Sequence, residues 1–150
     1  MTTGSSGTPL TRKLGLKAGQ AVAFVGLPDS LDALKEAVVF RRIETAPDWR
    51  ALPEGGRDVI LLFTTSATEL RAALPVIGDM ILPDGVIWVC WPKKASKVPT
   101  DLTDAVIRAA ALTGVLVDVK VCFLDAVWSG LKLVVRVEAR ASHVNAGVAA

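Results

Sequence analysis

Ala21–Leu27 reads AVAFVGL, a run without a single polar side chain, set between Gly19-Gln20 and Pro28-Asp29. A run this short and this uniformly apolar is a strand with both faces covered, because a half-buried strand would alternate. Two further stretches repeat the pattern: Asp58–Thr64 is DVILLFT and Val86–Trp91 is VIWVCW. Three such strands need cover on both sides, so they predict a parallel sheet sandwiched between helices.

The segments around these strands supply that cover. Pro28-Asp29-Ser30 turns the chain into a helix of about two turns, Leu31 to Ala37. Val38–Glu44 (VVFRRIE) reads as the second strand, and its arginines place it nearer the sheet edge. Thr45 to Arg57 has two prolines and a Gly-Gly pair and reads as loop, with room for a helical turn around Trp49. Ser66-Ala67-Thr68-Glu69 fits a capping box, in which serine caps and glutamate reaches back. The helix that follows puts Leu70, Leu74, Ile77 and Ile81 on one face, and Pro75 should kink it. Pro83-Asp84-Gly85 reads as a turn before Val86–Trp91. Thr100 or Asp101 caps a helix running to about Leu112, with Gly114 as its stop. Leu116–Leu124 and Leu131–Val137 are the last two strands, and the short link Asp125–Gly130 makes them an antiparallel hairpin. At the other end, Thr8-Pro9 opens a short helix, Leu10–Leu14, closed by Gly15.

Strands alternating with helices make a doubly wound, Rossmann-like α/β sheet. It has about six strands, mostly parallel, with an antiparallel strand at the C-terminus. The 150 residues suit one domain over 8–137, with flexible ends at 1–7 and 138–150.

Composition removes several functions. The formal net charge is +2, so nucleic acid is an unlikely main partner. No apolar run approaches the roughly 20 residues of a membrane helix, and Met1–Gly7 has no apolar signal core. Cys90 and Cys122 both sit in apolar runs and read as buried free thiols of a cytoplasmic protein. The single histidine, His143, lies near the C-terminus, which argues against Ser-His-Asp and Cys-His mechanisms. Clustered Cys and His for zinc are absent, and so is a P-loop. Asp101 and Asp104 read as residues that compensate a helix dipole, not as a catalytic pair.

Ligands of open α/β sheets bind outside the carboxyl ends of the strands. Trp91, Lys93, Lys94 and Ser96 leave such an end and run toward a helix N-terminus, a combination suited to a small anion. The competing reading is a solvated basic loop with Trp91 as a packing plug. Trp128 and Ser129 should stand at the same edge, where the tryptophan either covers a ligand ring or lids the hairpin. Thr65 ends a strand there too. Thr8 and Lys13 could fold over this edge, or simply belong to a helix that closes the sheet.

Three segments resemble the class I methyltransferases. Leu16–Gln20 leading into AVAFVG is similar to that family's approach to its first strand. Asp58–Leu62, a helix and Ile81–Val89 (ILPDGVIWV) are similar to its fourth and fifth strands, and Leu131–Arg136 after Trp128-Ser129-Gly130 is similar to its closing hairpin. Four blocks, SGTPL (Ser6–Leu10), KLGLKAG (Lys13–Gly19), WPKKASKVPTDLT (Trp91–Thr103) and WSGLKLV (Trp128–Val134), resemble a small bacterial family known only as a domain of unknown function.

The methyltransferase resemblance implies a nucleotide-type cofactor, S-adenosylmethionine or another nucleotide. It puts Gly26 at the cofactor loop and Glu44 at the acid that holds ribose hydroxyls. The departures from that pattern are large. The first strand has no acid, and Gly26 is followed by Leu27-Pro28 instead of a second glycine. A third strand and a substrate-domain insertion are missing, so the fold is truncated. The expected function is a non-catalytic ligand-binding or regulatory domain on a degenerate methyltransferase-like scaffold. The alternatives are a small enzyme binding an anionic or nucleotide-like ligand at the carboxyl edge, and a protein-interaction subunit. A homodimer through the last strand or the Trp faces is part of the third reading.

Overall fold

In a computed structural model of the chain, residues 9–143 are described. The apolar run at Ala21–Val25 forms β1, buried along its whole length. Around it lie β2 (Arg42–Ala46), β3 (Arg57–Phe63), β4 (Ile81–Pro92), β5 (Leu116–Phe123) and β6 (Trp128–Val135). They form one sheet in the order β2-β1-β3-β4-β6-β5. The first four strands pair in parallel. β6 inserts between β4 and β5, antiparallel to both. This is the Rossmann-like α/β sheet the sequence predicts, with β2 at an edge as its arginines suggest.

Side chains alternate across the strands and feed two cores. On one face Ile60, Leu62, Ile87, Val89 and Leu131 pack under α2 (Ala67–Ile77) and α3 (Asp104–Ala111). On the other, Phe24, Leu61, Trp88 and Cys90 lie under Leu14, Leu16, Leu31 and Leu34. Trp88 is fully buried, and its indole N–H donates to the Leu14 carbonyl at 2.9 Å, tying α1 (Leu10–Lys13) to the sheet.

Several boundaries differ from the sequence reading. The predicted helix at Leu31–Ala37 is a 3₁₀ segment, Asp29–Glu36. β2 begins four residues later than predicted, because its register starts at Ala21↔Arg42. The residues before it bond to the turn ahead of β1, with Gly19 N donating to Val39 O and Arg41 N to Gln20 O. Ile81 does not continue α2. A 3₁₀ turn at Gly78–Met80 ends that helix and Ile81 opens β4. Pro83-Asp84-Gly85 is a bulge inside β4, where Ile81 to Val86 span only Arg57 to Val59 of β3. Gly85 is required in that bulge, since a Cβ would come within 3.0 Å of two carbonyl oxygens, Arg57 O and Leu82 O.

Thr103, not Thr100 or Asp101, caps α3, accepting from Val106 N. Trp128-Ser129-Gly130 is not a turn but the start of β6, so the hairpin link shortens to 124–127. Pro9 occupies the N-cap of α1, not its first helical position, and Thr8 lies outside the described residues. The expected tail from 138 onward begins instead as a 3₁₀ turn, Val137–Ser142. Ala139 of this turn packs on the core and a His143 ring nitrogen lies 3.0 Å from Ile81 O. The rest of the expected tail, 144–150, and the expected flexible start, 1–7, lie outside the described residues.

Candidate functional site

The carboxyl ends of the four parallel strands share one edge, and two small clefts open there. One of about 220 Å³ lies between the ends of β1 and β2 and the Asp29–Glu36 segment, bordered by Phe24, Gly26, Thr45 and Pro47. The other, about 160 Å³, lies across Pro47 between Trp49, Phe63 and Glu69. Both fall below the roughly 300–1,000 Å³ of ordinary small-molecule sites.

Gly26 sits at the mouth of the first cleft with φ +68°. Its N–H donates to Ala46 O at 2.8 Å, and a Cβ would lie 3.0 Å from Phe63 O. A glycine here lets β1 turn off between its neighbours, a demand of the fold itself. Leu27-Pro28 follows, and an Asp32–Lys35 ion pair of 2.7 Å lies on the same cleft. The first strand, Ala21–Val25, carries no acid, where the methyltransferase pattern has one, and all five of its residues are buried.

Glu44 is not at the end of β2 but in its middle, opposite Ala23. Its carboxylate accepts from Arg57 Nε at 2.8 Å and from a terminal guanidinium nitrogen at 2.9 Å. Arg57 is fully buried and also donates to the Gly55 and Pro53 carbonyls, each at 2.6 Å. These hydrogen bonds hold the Glu44 carboxyl below the usual carboxylate range. The acid is spent on closing the polar loop that precedes β3.

The basic loop divides in two. Trp91 is 7% exposed and packs among the buried residues under α2 and α3. Lys93 lays its ammonium over the Phe123 ring, 4.7 Å from the centroid. Lys94 to Ser96 is a 3₁₀ turn, with Lys94 exposed and the Ser96 hydroxyl donating to Lys93 O at 2.7 Å. Trp128 pairs with Pro92, and Lys93 N donates to Val127 O, so the expected neighbours do meet in the backbone. The side chains separate. Trp128 packs edge-on against Phe63 at 5.3 Å on one face, and Ser129, buried, points to the other.

Thr65 is exposed, and its carbonyl accepts from the Thr100 hydroxyl at 2.7 Å. Asp101, unremarked as a tether in the sequence, takes the Ala67 N–H at 2.8 Å. Ser66 takes the Glu69 N–H, as the capping box predicts. Glu69 does not reach back. It accepts instead from Trp49 Nε1 and Arg50, which lowers its pKa through the Arg50 hydrogen bond first. The first turn of α2 is therefore satisfied by the chain's own groups. The signal for Arg57 was a lone cation abutting an apolar run. For Asp101 and Glu69 no local signal exists, because their partners lie 34 and 19–20 residues away.

Cys90 and Cys122 are free and buried. Both lie opposite Gly130 of the intervening β6, two strand spacings or about 9.5 Å apart, too far for a disulfide. Among the described residues no group of three or more His, Cys, Asp or Glu could hold a metal ion, and no helix is long and apolar enough to cross a membrane.

No family model and no curated protein sequence matches the chain. Solved structures do. The magnesium protoporphyrin IX methyltransferase of Synechocystis with bound SAH superposes at TM-score 0.59 and 12% identity, covering 83% of this chain and 77% of that one. This chain has a class I methyltransferase fold. A SAM-dependent methyltransferase of Bacteroides fragilis, in complex with S-adenosyl-L-homocysteine, matches at TM-score 0.55 and 11% identity, over 85% of this chain and 77% of its own. A tRNA methyltransferase of B. subtilis matches at 0.55 and 10%, over 91% and 68%. At such identities the likeness is one of fold. The residues that the resemblance assigns to S-adenosylmethionine are not arranged to hold it: the first strand carries no acid, and Glu44, in mid-strand, is bound to Arg57.

Proposed function

We propose that the chain is a non-catalytic ligand-binding or regulatory domain that keeps the methyltransferase scaffold without its grip on the methyl donor. The observation that carries this reading is the Glu44–Arg57 pair, which uses for internal closure the acid that the resemblance assigns to ribose. The neighbouring acid Asp32 is likewise engaged, by Lys35. Asp32 is the one carboxylate among the residues bordering the β1–β2 cleft. Membership of the small bacterial family with the SGTPL and WSGLKLV blocks, and a cytoplasmic setting for the two free thiols, belong to the same proposal.

The test is to incubate the pure chain with S-adenosylmethionine and candidate acceptors and to follow S-adenosylhomocysteine formation. The expected result is none, with calorimetric binding of either compound weaker than about 1 mM, that is, less favourable than about −4 kcal/mol. Turnover by the pure chain, abolished by a change in the β1–β2 cleft, would overturn the reading.

A second reading, a small anionic or nucleotide-like ligand at the Trp91–Ser96 edge, draws support from the exposed Lys94 beside the Lys93 ammonium on Phe123. It requires that Lys93→Ala or Lys94→Ala weaken binding of phosphate or a nucleotide while the melting temperature holds. Unchanged binding in both variants removes it.

A further inference from the structure

A concavity larger than either edge cleft lies remote from the carboxyl edge. It is a groove of about 670 Å³ between α2 and α3, running to Gly78 before β4 and Leu116 at the start of β5. Its walls are small and apolar, with Pro75, Ala105, Ala109 and Val115 exposed along them. Val76 and Leu112, exposed at 40% and 56%, extend the apolar surface beside it. The one hydroxyl in the lining, Thr113, already donates to Ala110 O at 2.8 Å. Small-molecule sites need convergent polar groups to fix orientation, and this groove offers none between its ends.

The ends are charged and opposite. Arg71 and Asp79 both line the groove, and neither forms an ion pair among the described residues. They flank Pro75 symmetrically along α2 and its 3₁₀ extension, about 12 Å apart at 1.5 Å per residue. A helix laid antiparallel across Pro75 would need an acid where it meets Arg71 and a cation where it meets Asp79. A second copy of α2 supplies both, since a two-fold axis through Pro75 places Arg71 against the partner's Asp79 and the reverse. We infer that α2 and the rim of the α2–α3 groove form the interface of a symmetric homodimer, with two reciprocal Arg71–Asp79 pairs flanking a small-residue seam at Pro75.

The surfaces predicted from sequence suit this role less well. The last strand, β6, is paired on both sides. Trp88 and Trp91 are buried, and Trp49 and Trp128 half-buried. The edge strand on that side, β5, carries a bulge between Asp118 and Lys120 and an exposed lysine, devices that discourage edge pairing.

Charge reversal tests the geometry directly. Arg71→Asp gives a chain with acids at both ends of the groove, and Asp79→Arg one with cations at both. Both positions are exposed, so the fold should persist, checked by circular dichroism and melting temperature. Wild-type chain should run as a dimer in light scattering at about 0.1 mM, where a micromolar complex is nearly fully formed. Each variant alone should dissociate at least about tenfold more readily, and an equimolar mixture of the two should recover a dimer of one chain of each kind. A monomeric wild type, variants that dimerise as tightly as wild type, or a mixture that stays monomeric would each overturn the inference.

Discussion

Replacing Glu44 by glutamine removes the charge that faces Arg57 and keeps the shape of the side chain. Arg57 is fully buried, and apart from Glu44 its acceptors are two backbone carbonyls, Gly55 O and Pro53 O. Breaking a buried pair by removing one charge costs about 3–5 kcal/mol, because the remaining ion has no counter-charge. The Glu44 side chain is 18% exposed and glutamine retains one acceptor oxygen, so the cost falls at or just below the lower end of that range. A loss of about 2–3 kcal/mol follows, which in a domain of this length lowers the melting temperature by about 4–12 °C.

The pH dependence gives the effect a signature. Arg57 depresses the folded-state pKa of Glu44, so this contribution is complete above the unfolded glutamate value of about 4.3 and is lost as pH falls through the lower folded value. The gap between wild type and Glu44→Gln should therefore be widest at neutral pH and narrow in acid. Urea titrations followed by circular dichroism, at pH 7 and again in the acid range, measure it. A loss under about 0.5 kcal/mol at pH 7, the size of an ordinary surface substitution, or a gap that ignores pH, would refute the structural role. A Glu44 kept free for a ligand would instead give a stable variant that loses binding.

Gly26→Ala should destabilise by about 1–2 kcal/mol for the left-handed backbone alone, and more because its Cβ would meet Phe63 O at 3.0 Å; a melting temperature within error of wild type would disprove that packing. Asp101→Ala frees the Ala67 N–H and should cost about 1 kcal/mol, the usual value of a lost cap, read by urea titration. Burial pushes the Cys90 thiol well up, so a thiol-reactive dye at mildly alkaline pH should label it only as fast as the chain unfolds. Prompt labelling of Cys90 in the native chain would mean that the Trp88–Cys90 core opens locally.

What the sequence disclosed followed from short-range physics. β1, β3 and β4 were legible because a strand covered on both faces must be apolar along its centre, and AVAFVG, VILLF and VIWVCW are. The Ser66 cap was legible because it acts three residues away. The misplacements share a different cause. Pro83-Asp84-Gly85 has the composition of a turn, and only the register of β4 against β3 makes it a bulge. Thr100 and Asp101 look like caps of the helix ahead, yet they bond back to Thr65 and Ala67, a contact that exists only after β3 and β4 have paired. Trp128 and Ser129 pair with Pro92 and Trp91 at the end of β4, but the pleat sends consecutive side chains to opposite faces, so they do not line one site.

The same distinction separates the two ends of the molecule. At the carboxyl edge the acidic groups have been drawn into the chain's own structure: Asp101 to an amide, Glu69 to Arg50 and Trp49, and Asp32 to Lys35; in mid-sheet Glu44 is likewise bound to Arg57. Polar groups satisfied this fully have little interaction left to give a ligand, because binding would first have to break those contacts. On the helical face the opposite holds. Arg71 and Asp79 are held by no ion pair among the described residues, and between them lies apolar surface that water covers poorly. An ion pair between exposed groups is weak alone, but beside a seam that excludes water it fixes orientation while the seam supplies the affinity. On this chain's scaffold these acids of the carboxyl edge are therefore committed, while an acid and a cation unpaired among the described residues face one apolar groove on the α2–α3 side.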